Sequence, residues 1–255
     1  MIELNLIWEQ FDPLVIAEVG INHNGDVGLA MEMIHAAKEA NADVVKFQTF
    51  KATEIVTDES SYTYQSAGKT VTEKQIDMFS RYELATDAWQ ALMAECKKVG
   101  IEFMSTPQNS SDLDILIKVG VTAIKVGSDD LVNTPLLADY VSRGLPIIIS
   151  TGMAFLEEID RALRTLQWPE NPNVAVLVCT SRYPTPQDAA NTRRIMSLSA
   201  AYPGLTIGFS DHTVGYLAAV TARTMGARIF EKHFTLNKNF EGPDHSFSPN
   251  PQELK

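Results

Sequence analysis

Cysteine is scarce in this chain, with two in 255 residues, Cys96 and Cys179. They fall in an expected helix and an expected strand with no metal-type spacing between them, so buried thiols are expected rather than a disulfide framework. Long apolar runs are also missing. None reaches the ~18–20 residues that a membrane-spanning helix needs, and the start, Met1-Ile2-Glu3-Leu4, has neither the basic residues nor the apolar core of a signal peptide. Basic charge is in deficit, 21 Lys and Arg against 32 Asp and Glu for a formal net charge of -11. That balance argues against a general nucleic-acid or acidic-membrane surface. A cytoplasmic protein is expected, and any positive field for an anionic ligand has to be local. No G-x-G-x-x-G fingerprint follows the first apolar run, which weakens an open doubly wound sheet.

What the chain does have is one repeated pattern, a short apolar run that turns polar at its end and is followed by an amphipathic stretch. Leu14-Val15-Ile16-Ala17 runs into Glu18 and the turn Asn22-His23-Asn24-Gly25. The run from Asp43 to Phe47 carries Lys46 and ends at Gln48, and Ile101 to Met104 ends at Ser105-Thr106-Pro107. Ala123 to Val126 ends at Gly127-Ser128-Asp129-Asp130, Pro146 to Ile149 at Ser150-Thr151-Gly152, and Val174 to Val178 at Cys179-Thr180-Ser181. Leu205 to Phe209 then leads into Ser210-Asp211-His212, and Arg228 to Phe230 into Glu231-Lys232-His233. Helical spacing separates the runs, as in the stripe Phe155, Ile159, Leu163.

Strands alternating with helices over a length near the ~250 residues typical of a (β/α)8 fold predict an α/β protein, a single TIM barrel covering residues 1–255. Residues 1–12 read as a short preface. Residues 51–83, polar and aromatic, read as a long βα loop over the site. The chain reaches Lys255 just where an eighth helix should begin, so the expectation is a barrel lacking its last helix.

In such barrels the active site forms at the carboxyl ends of the strands, where this sequence collects its polar groups. Strand periodicity puts Lys46 with Gln48, Ser210 with His212, and Glu231 with His233 on common faces. Two lysines among hydroxyls, Lys46 and Lys125 with Thr106, Ser128, Ser150, Ser181 and Ser210, suit a small anion such as a phosphate or carboxylate. The alternative is that each lysine is the structural partner of a buried carboxylate. His212 and His233 are candidate ligands of a borderline divalent metal, against the alternative of ordinary hydrogen-bonded histidines. Glu18 is a candidate general acid or base, or a counter-charge to a lysine, and the two roles are compatible. His23 is a candidate sugar or phosphate contact, His35 a surface residue, and His245 a pocket-lining one.

The segments Ala17-Glu18-Val19-Gly20-Ile21-Asn22-His23-Asn24-Gly25, Lys46-Phe47-Gln48, Ser150-Thr151-Gly152-Met153 and Tyr183-Pro184-Thr185-Pro186 together resemble the sialic acid synthase family. So do Gly208-Phe209-Ser210-Asp211-His212-Thr213, Glu231-Lys232-His233-Phe234-Thr235 and Gly242-Pro243-Asp244-His245. The resemblance runs from about Leu14 to Lys255 and includes related bacterial nonulosonic acid and spore-coat polysaccharide synthases. It implies condensation of phosphoenolpyruvate with an N-acylated amino sugar, N-acetylmannosamine or a related hexosamine, giving a nine-carbon 2-keto sugar acid and phosphate by C–O cleavage. It further implies a divalent metal at His212 and His233, commonly Mn2+, with Mg2+, Co2+ or Fe2+ as other choices. Phosphoenolpyruvate would be held by Lys46, Thr106, Lys125, Ser128, Ser150 and Ser210. The sugar would meet Glu18, Asp130, Tyr183 and Asp244. Ser181 stands where N-acetylneuraminate-making members resemble Asn, and Asp where they often have Glu, which leaves the sugar open. Members are usually homodimers and continue into a small C-terminal antifreeze-like domain, absent from this sequence, so a barrel without that domain is expected.

Overall fold

A computed structural model describes residues 12–56 and 60–255. The expected preface lies outside the described residues except for Asp12, as do residues 57–59 of the long loop. Eight strands carry the fold: β1 (Leu14–Gly20), β2 (Val44–Thr49), β5 (Glu102–Pro107), β6 (Ile124–Val126), β7 (Ile147–Ser150), β8 (Val174–Val178), β9 (Thr206–Asp211) and β10 (Ile229–His233). They form a closed barrel in the order β1-β10-β9-β8-β7-β6-β5-β2, the TIM architecture expected from the pattern.

Parallel barrel strands are covered on both faces, so they read as continuous apolar runs rather than alternating ones. β8, Val-Ala-Val-Leu-Val, is buried at every position, as is β7. The amphipathic segments between them form helices α1 (Val27–Glu39), α4 (Thr86–Val99), α5 (Ser110–Val119), α6 (Thr134–Ser142), α7 (Leu156–Thr165), α8 (Arg194–Ala201) and α9 (Leu217–Thr224). Local capping fixes their starts. Asp26 Oδ1 accepts from the Gly28 and Leu29 amides at 2.7 and 3.2 Å, Asn109 caps α5 through the Asp112 amide at 3.1 Å, and Asn133 caps α6. Such a cap stabilises by about 1 kcal/mol.

The chain divides into two compact units, residues 1–16 with 121–232, and residues 17–120 with 233–255. In the first, the parallel register sets Ser150 opposite Leu177 and Glu231 opposite Ser210. Gly208 lets β9 and its neighbours approach: a Cβ there would lie 2.5 Å from the Ile229 carbonyl and from Leu177. In the second unit, Lys46 lies opposite Met104 and Gln48 opposite Thr106. Phe47, Trp89 and Phe103 pack there with ring centroids 5.7–6.5 Å apart.

Residues 51–83, expected as a loop, carry structure of their own. They hold helix α2 (Ala52–Ile55), an antiparallel hairpin β3 (Ser61–Ser66) and β4 (Lys69–Lys74), and helix α3 (Gln75–Tyr82). Ala67 and Gly68 both sit at positive φ in a two-residue turn whose twist suits a hairpin. Tyr62 stacks on Tyr64, and the Thr63 and Thr72 hydroxyls lie 2.8 Å apart across the strands. Where the sequence leads to a barrel lacking its last helix, β10 is followed among the described residues by one helical turn, α10 (Pro251–Leu254), capped by Asn250. Both cysteines are free and buried, as expected. Among the described residues, no helix is long and apolar enough to cross a membrane.

Candidate active site

The unit containing β6 to β10 gathers four hydroxyls and a lysine. Ser128 Oγ accepts the Gly152 amide at 2.8 Å. A Cβ on Gly152 would collide with Ser181 Oγ and Ser128 Oγ, so only glycine leaves the space between these groups open. Ser150 is buried and its Oγ has no hydrogen-bond partner among the described residues. A buried hydroxyl without a partner is costly, and a ligand oxygen would satisfy it. Lys125 Nζ donates to the Val126 carbonyl at 2.9 Å and lies 3.9 Å from Glu231 Oε1, which accepts from Ser210 Oγ at 2.8 Å. Two donor groups thus stand in this unit, Ser128 and Ser181 beside Gly152, and Lys125 and Ser210 beside the Glu231 carboxylate; hydroxyls together with a cation are chemistry that receives a phosphate or carboxylate.

The end of β9 carries His212. Its Nδ1 lies 2.9 Å from the Thr180 carbonyl and 3.7 Å from Cys179 Sγ. A carbonyl oxygen only accepts, so Nδ1 carries the proton and Nε2 keeps the lone pair that a metal would use. Burial would lower the imidazole, but Cys179, the Thr180 carbonyl and Glu231 outweigh it and raise His212 above its ordinary value. Burial would likewise raise the Cys179 thiol, and His212 and Lys125 bring it below its usual range. Tyr183, half exposed, sets its ring 4.1 Å from the His212 ring. Asp130 is half-buried and accepts from Asn133 at 3.1 Å. Burial raises its carboxyl, with Asp129 adding to the shift.

The unit containing β1, β2 and β5 holds the second lysine. Lys46 Nζ lies 2.8 Å from Glu18 Oε2 and donates to Thr106 Oγ1 at 3.0 Å, while Gln48 Nε2 donates to Glu18 Oε1 at 3.2 Å. Both members of the ion pair are buried. Both rim lysines are thus near carboxylates, the alternative entertained from sequence, and both also touch hydroxyls or carbonyls as an anion site would. In the same unit His233, buried at the end of β10, has Nδ1 3.7 Å from Asp244 Oδ2 and its ring 5.3 Å from that of Phe247. The Asp244 loop is tied down by buried polar contacts. Asn22 Nδ2 donates to Ser248 Oγ at 3.1 Å, Ser248 Oγ to the Asp244 carbonyl at 2.6 Å, and the Gly242 amide to Ser66 Oγ at 2.9 Å.

β9 and β10 pair in parallel with Lys232 opposite Asp211, and the residues that follow them are His233 and His212. An imidazole whose Nδ1 is bound to a carbonyl, as in His212, is a donor type that suits a borderline divalent cation. Among the described residues no group of three His, Cys, Asp or Glu side chains could hold a metal, so any ion there would draw further ligands from water or substrate.

Two histidines lie away from these groups. His23, a candidate ligand contact from sequence, is fully buried, and its Nδ1 accepts the Gly25 amide at 3.0 Å while its Nε2 has no hydrogen-bond partner among the described residues. His35 is on the surface, 2.7 Å from Glu95. Sequence reasoning placed Gln48 and Glu231 on the faces of Lys46 and His233 without giving them a role, and it missed the contact of Cys179 with His212. The period-two alternation that singled out Lys46 and His233 also pointed at Gln48 and Glu231.

A family model described as the NeuB family matches residues 33–255. The chain is 40% identical over 245 residues to N,N'-diacetyllegionaminic acid synthase of Campylobacter jejuni, covering 95% of this chain and 73% of that protein. It is 41% identical over 249 residues to the enzyme of the same name from Legionella pneumophila, covering 94% and 69%. Among solved structures, N-acetylneuraminic acid (sialic acid) synthetase from Leptospira borgpetersenii, in complex with citrate, superposes with a TM-score of 0.87 at 31% identity, covering 95% of this chain and 80% of that one.

Proposed function

The chain belongs to the NeuB family, and from that premise we propose that it condenses phosphoenolpyruvate with an N-acylated amino sugar, giving a nine-carbon 2-keto sugar acid and phosphate. The observation that carries this reading is at the ends of β6, β7 and β8, where Ser128 and Ser181 flank a glycine that leaves room for a ligand and the neighbouring strands carry the unpartnered Ser150 hydroxyl and Lys125. The anionic end of phosphoenolpyruvate is held there, with Lys46, Thr106 and Ser210 as further donors. The amino sugar is held by Asp130, Tyr183 and Asp244.

C3 of phosphoenolpyruvate attacks the open-chain sugar aldehyde, and water adds at C2. The C2–O bond then breaks, so phosphate leaves with the bridging oxygen and C2 becomes the ketone. Glu18, buried against Lys46 and oriented by Gln48, exchanges protons with the developing alcohol and the attacking water. His212 and His233 are the residues that would hold a divalent cation, most simply Mn2+, with Mg2+, Co2+ and Fe2+ as substitutes. A cation there would polarise the aldehyde oxygen. His212 suits that role through its Nδ1–H bond to Thr180, which fixes the tautomer.

The active form is proposed to be a cytoplasmic homodimer, in keeping with two free buried thiols and with exposed Val214, Tyr216, Leu217 and Val220, which a second copy would cover. The test is a panel of N-acyl hexosamines, N-acetylmannosamine and diacylated sugars included, each incubated with phosphoenolpyruvate and Mn2+. Phosphate release that depends on one of the sugars is expected. Release of pyruvate instead, or of phosphate at the same rate without sugar, contradicts the assignment.

A further inference from the structure

The half-buried guanidinium of Arg194, at the start of α8, has no role in the reaction derived above. A desolvated cation needs compensation, yet among the described residues Arg194 pairs with no carboxylate, and its Nε is buried without a hydrogen-bond partner. Its charge is directed at two neutral acceptors on adjacent residues. Nη2 donates to the Cys179 carbonyl at 2.6 Å and to Thr180 Oγ1 at 2.9 Å. Such charge-assisted bonds are short and roughly twice as strong as neutral ones.

The clamped dipeptide is the one that orients His212. The Thr180 carbonyl takes the His212 Nδ1 proton at 2.9 Å, and the Thr185 amide returns a bond to the His212 carbonyl at 2.8 Å. Thr185 Oγ1 also donates to the Thr180 carbonyl at 3.2 Å, and Thr180 Oγ1 to the Ala189 carbonyl at 3.0 Å. One guanidinium therefore holds the dipeptide whose Thr180 carbonyl accepts the ring proton of His212.

We propose that Arg194 is a positioning residue for His212, locking the Cys179-Thr180 turn so that the imidazole stays protonated at Nδ1 and presents Nε2 to a divalent cation. This builds on the reading of His212 as a metal ligand. Groups hydrogen-bonded directly to a metal ligand typically change metal affinity by about 10- to 100-fold when removed, and Arg194, one contact further out, belongs at the lower end of that range. The residue contacts no reacting atom.

The experiment uses the whole chain and its Arg194→Met and Arg194→Lys variants, with two readouts. The first is the 15N spectrum of the His212 ring in metal-free protein, which distinguishes the tautomers. Wild type is expected to be Nδ1-protonated, Arg194→Met a mixture, and Arg194→Lys intermediate. The second is Mn2+ affinity from the free-ion electron paramagnetic signal, expected to weaken about tenfold in Arg194→Met. Should Arg194→Met fail to fold, Thr180→Val removes only the hydroxyl arm of the clamp and is expected to shift both readouts in the same direction by less. A pure Nδ1–H tautomer retained in Arg194→Met, or in Thr180→Val where that variant stands in, overturns the proposal. Failure of the wild type to bind Mn2+ refutes the metal reading of His212, while the ring spectra still decide the role of Arg194.

Discussion

A buried lysine keeps its charge only where something answers it. Glu18 lies 2.8 Å from Lys46, and Glu231, at 3.9 Å, is a looser partner for Lys125. Ser150 separates ligand binding from folding most cleanly. Its hydroxyl is buried without a partner, so Ser150→Ala removes an unsatisfied group and leaves thermal stability unchanged or slightly raised, within about 0.5 kcal/mol. The same change deletes a hydrogen bond to a charged ligand, worth about 1.5–3 kcal/mol, so KM for phosphoenolpyruvate should rise at least tenfold. Steady-state kinetics beside a melting curve check both halves, and a variant that melts early with unchanged KM would make Ser150 structural.

At the scale of the element, the strands were legible in the sequence because a parallel barrel strand writes itself as an apolar run that stops at a polar rim. Val174 to Val178 was readable to the residue. The β3–β4 hairpin was not, since a solvent-facing ribbon such as Ser-Tyr-Thr-Tyr-Gln-Ser has little apolar contrast. Its one sequence signal, Ala67-Gly68, depends on a non-glycine residue at positive φ. Arg194 carried no signal, as its meaning lies in a contact with a turn some fifteen positions away. Strand packing gives its own prediction at Gly208. A methyl group there meets the Ile229 carbonyl and Leu177 at 2.5 Å, so Gly208→Ala should cost about 1–3 kcal/mol by overpacking. Urea denaturation would show it as a lower midpoint, and an unchanged midpoint would mean that β9 and β10 yield more readily than their register implies.

For the molecule as a whole, pH acts through buried histidines. Burial pushes both His23 and His245 down to about 4, below the ~6.5 of an unfolded chain. Above 6.5 both are neutral in either state and their contribution is fully present. As the pH falls below 6.5 the unfolded chain takes up protons that the folded one refuses, and stability is lost, by about 2 kcal/mol per histidine between pH 6.5 and 5. Asp112, pushed up to about 6 chiefly by burial, acts in the opposite sense, because the folded chain gains its proton first. A difference measurement isolates the histidine. His245→Gln, which retains polar groups near Thr235 and Asn24, should lose less stability than wild type on going from pH 7 to pH 5. Equal losses would place the acid sensitivity elsewhere.

The proposed condensation requires that C–O rather than P–O bond breakage frees the phosphate. Phosphoenolpyruvate carrying 18O in the C2–O–P bridge, incubated with the chain, Mn2+ and the sugar selected from the panel, tests this directly by mass spectrometry of both products. The predicted outcome is labelled phosphate, with an unlabelled keto acid whose mass equals sugar plus phosphoenolpyruvate plus water less phosphoric acid. Unlabelled phosphate accompanied by labelled pyruvate would contradict it.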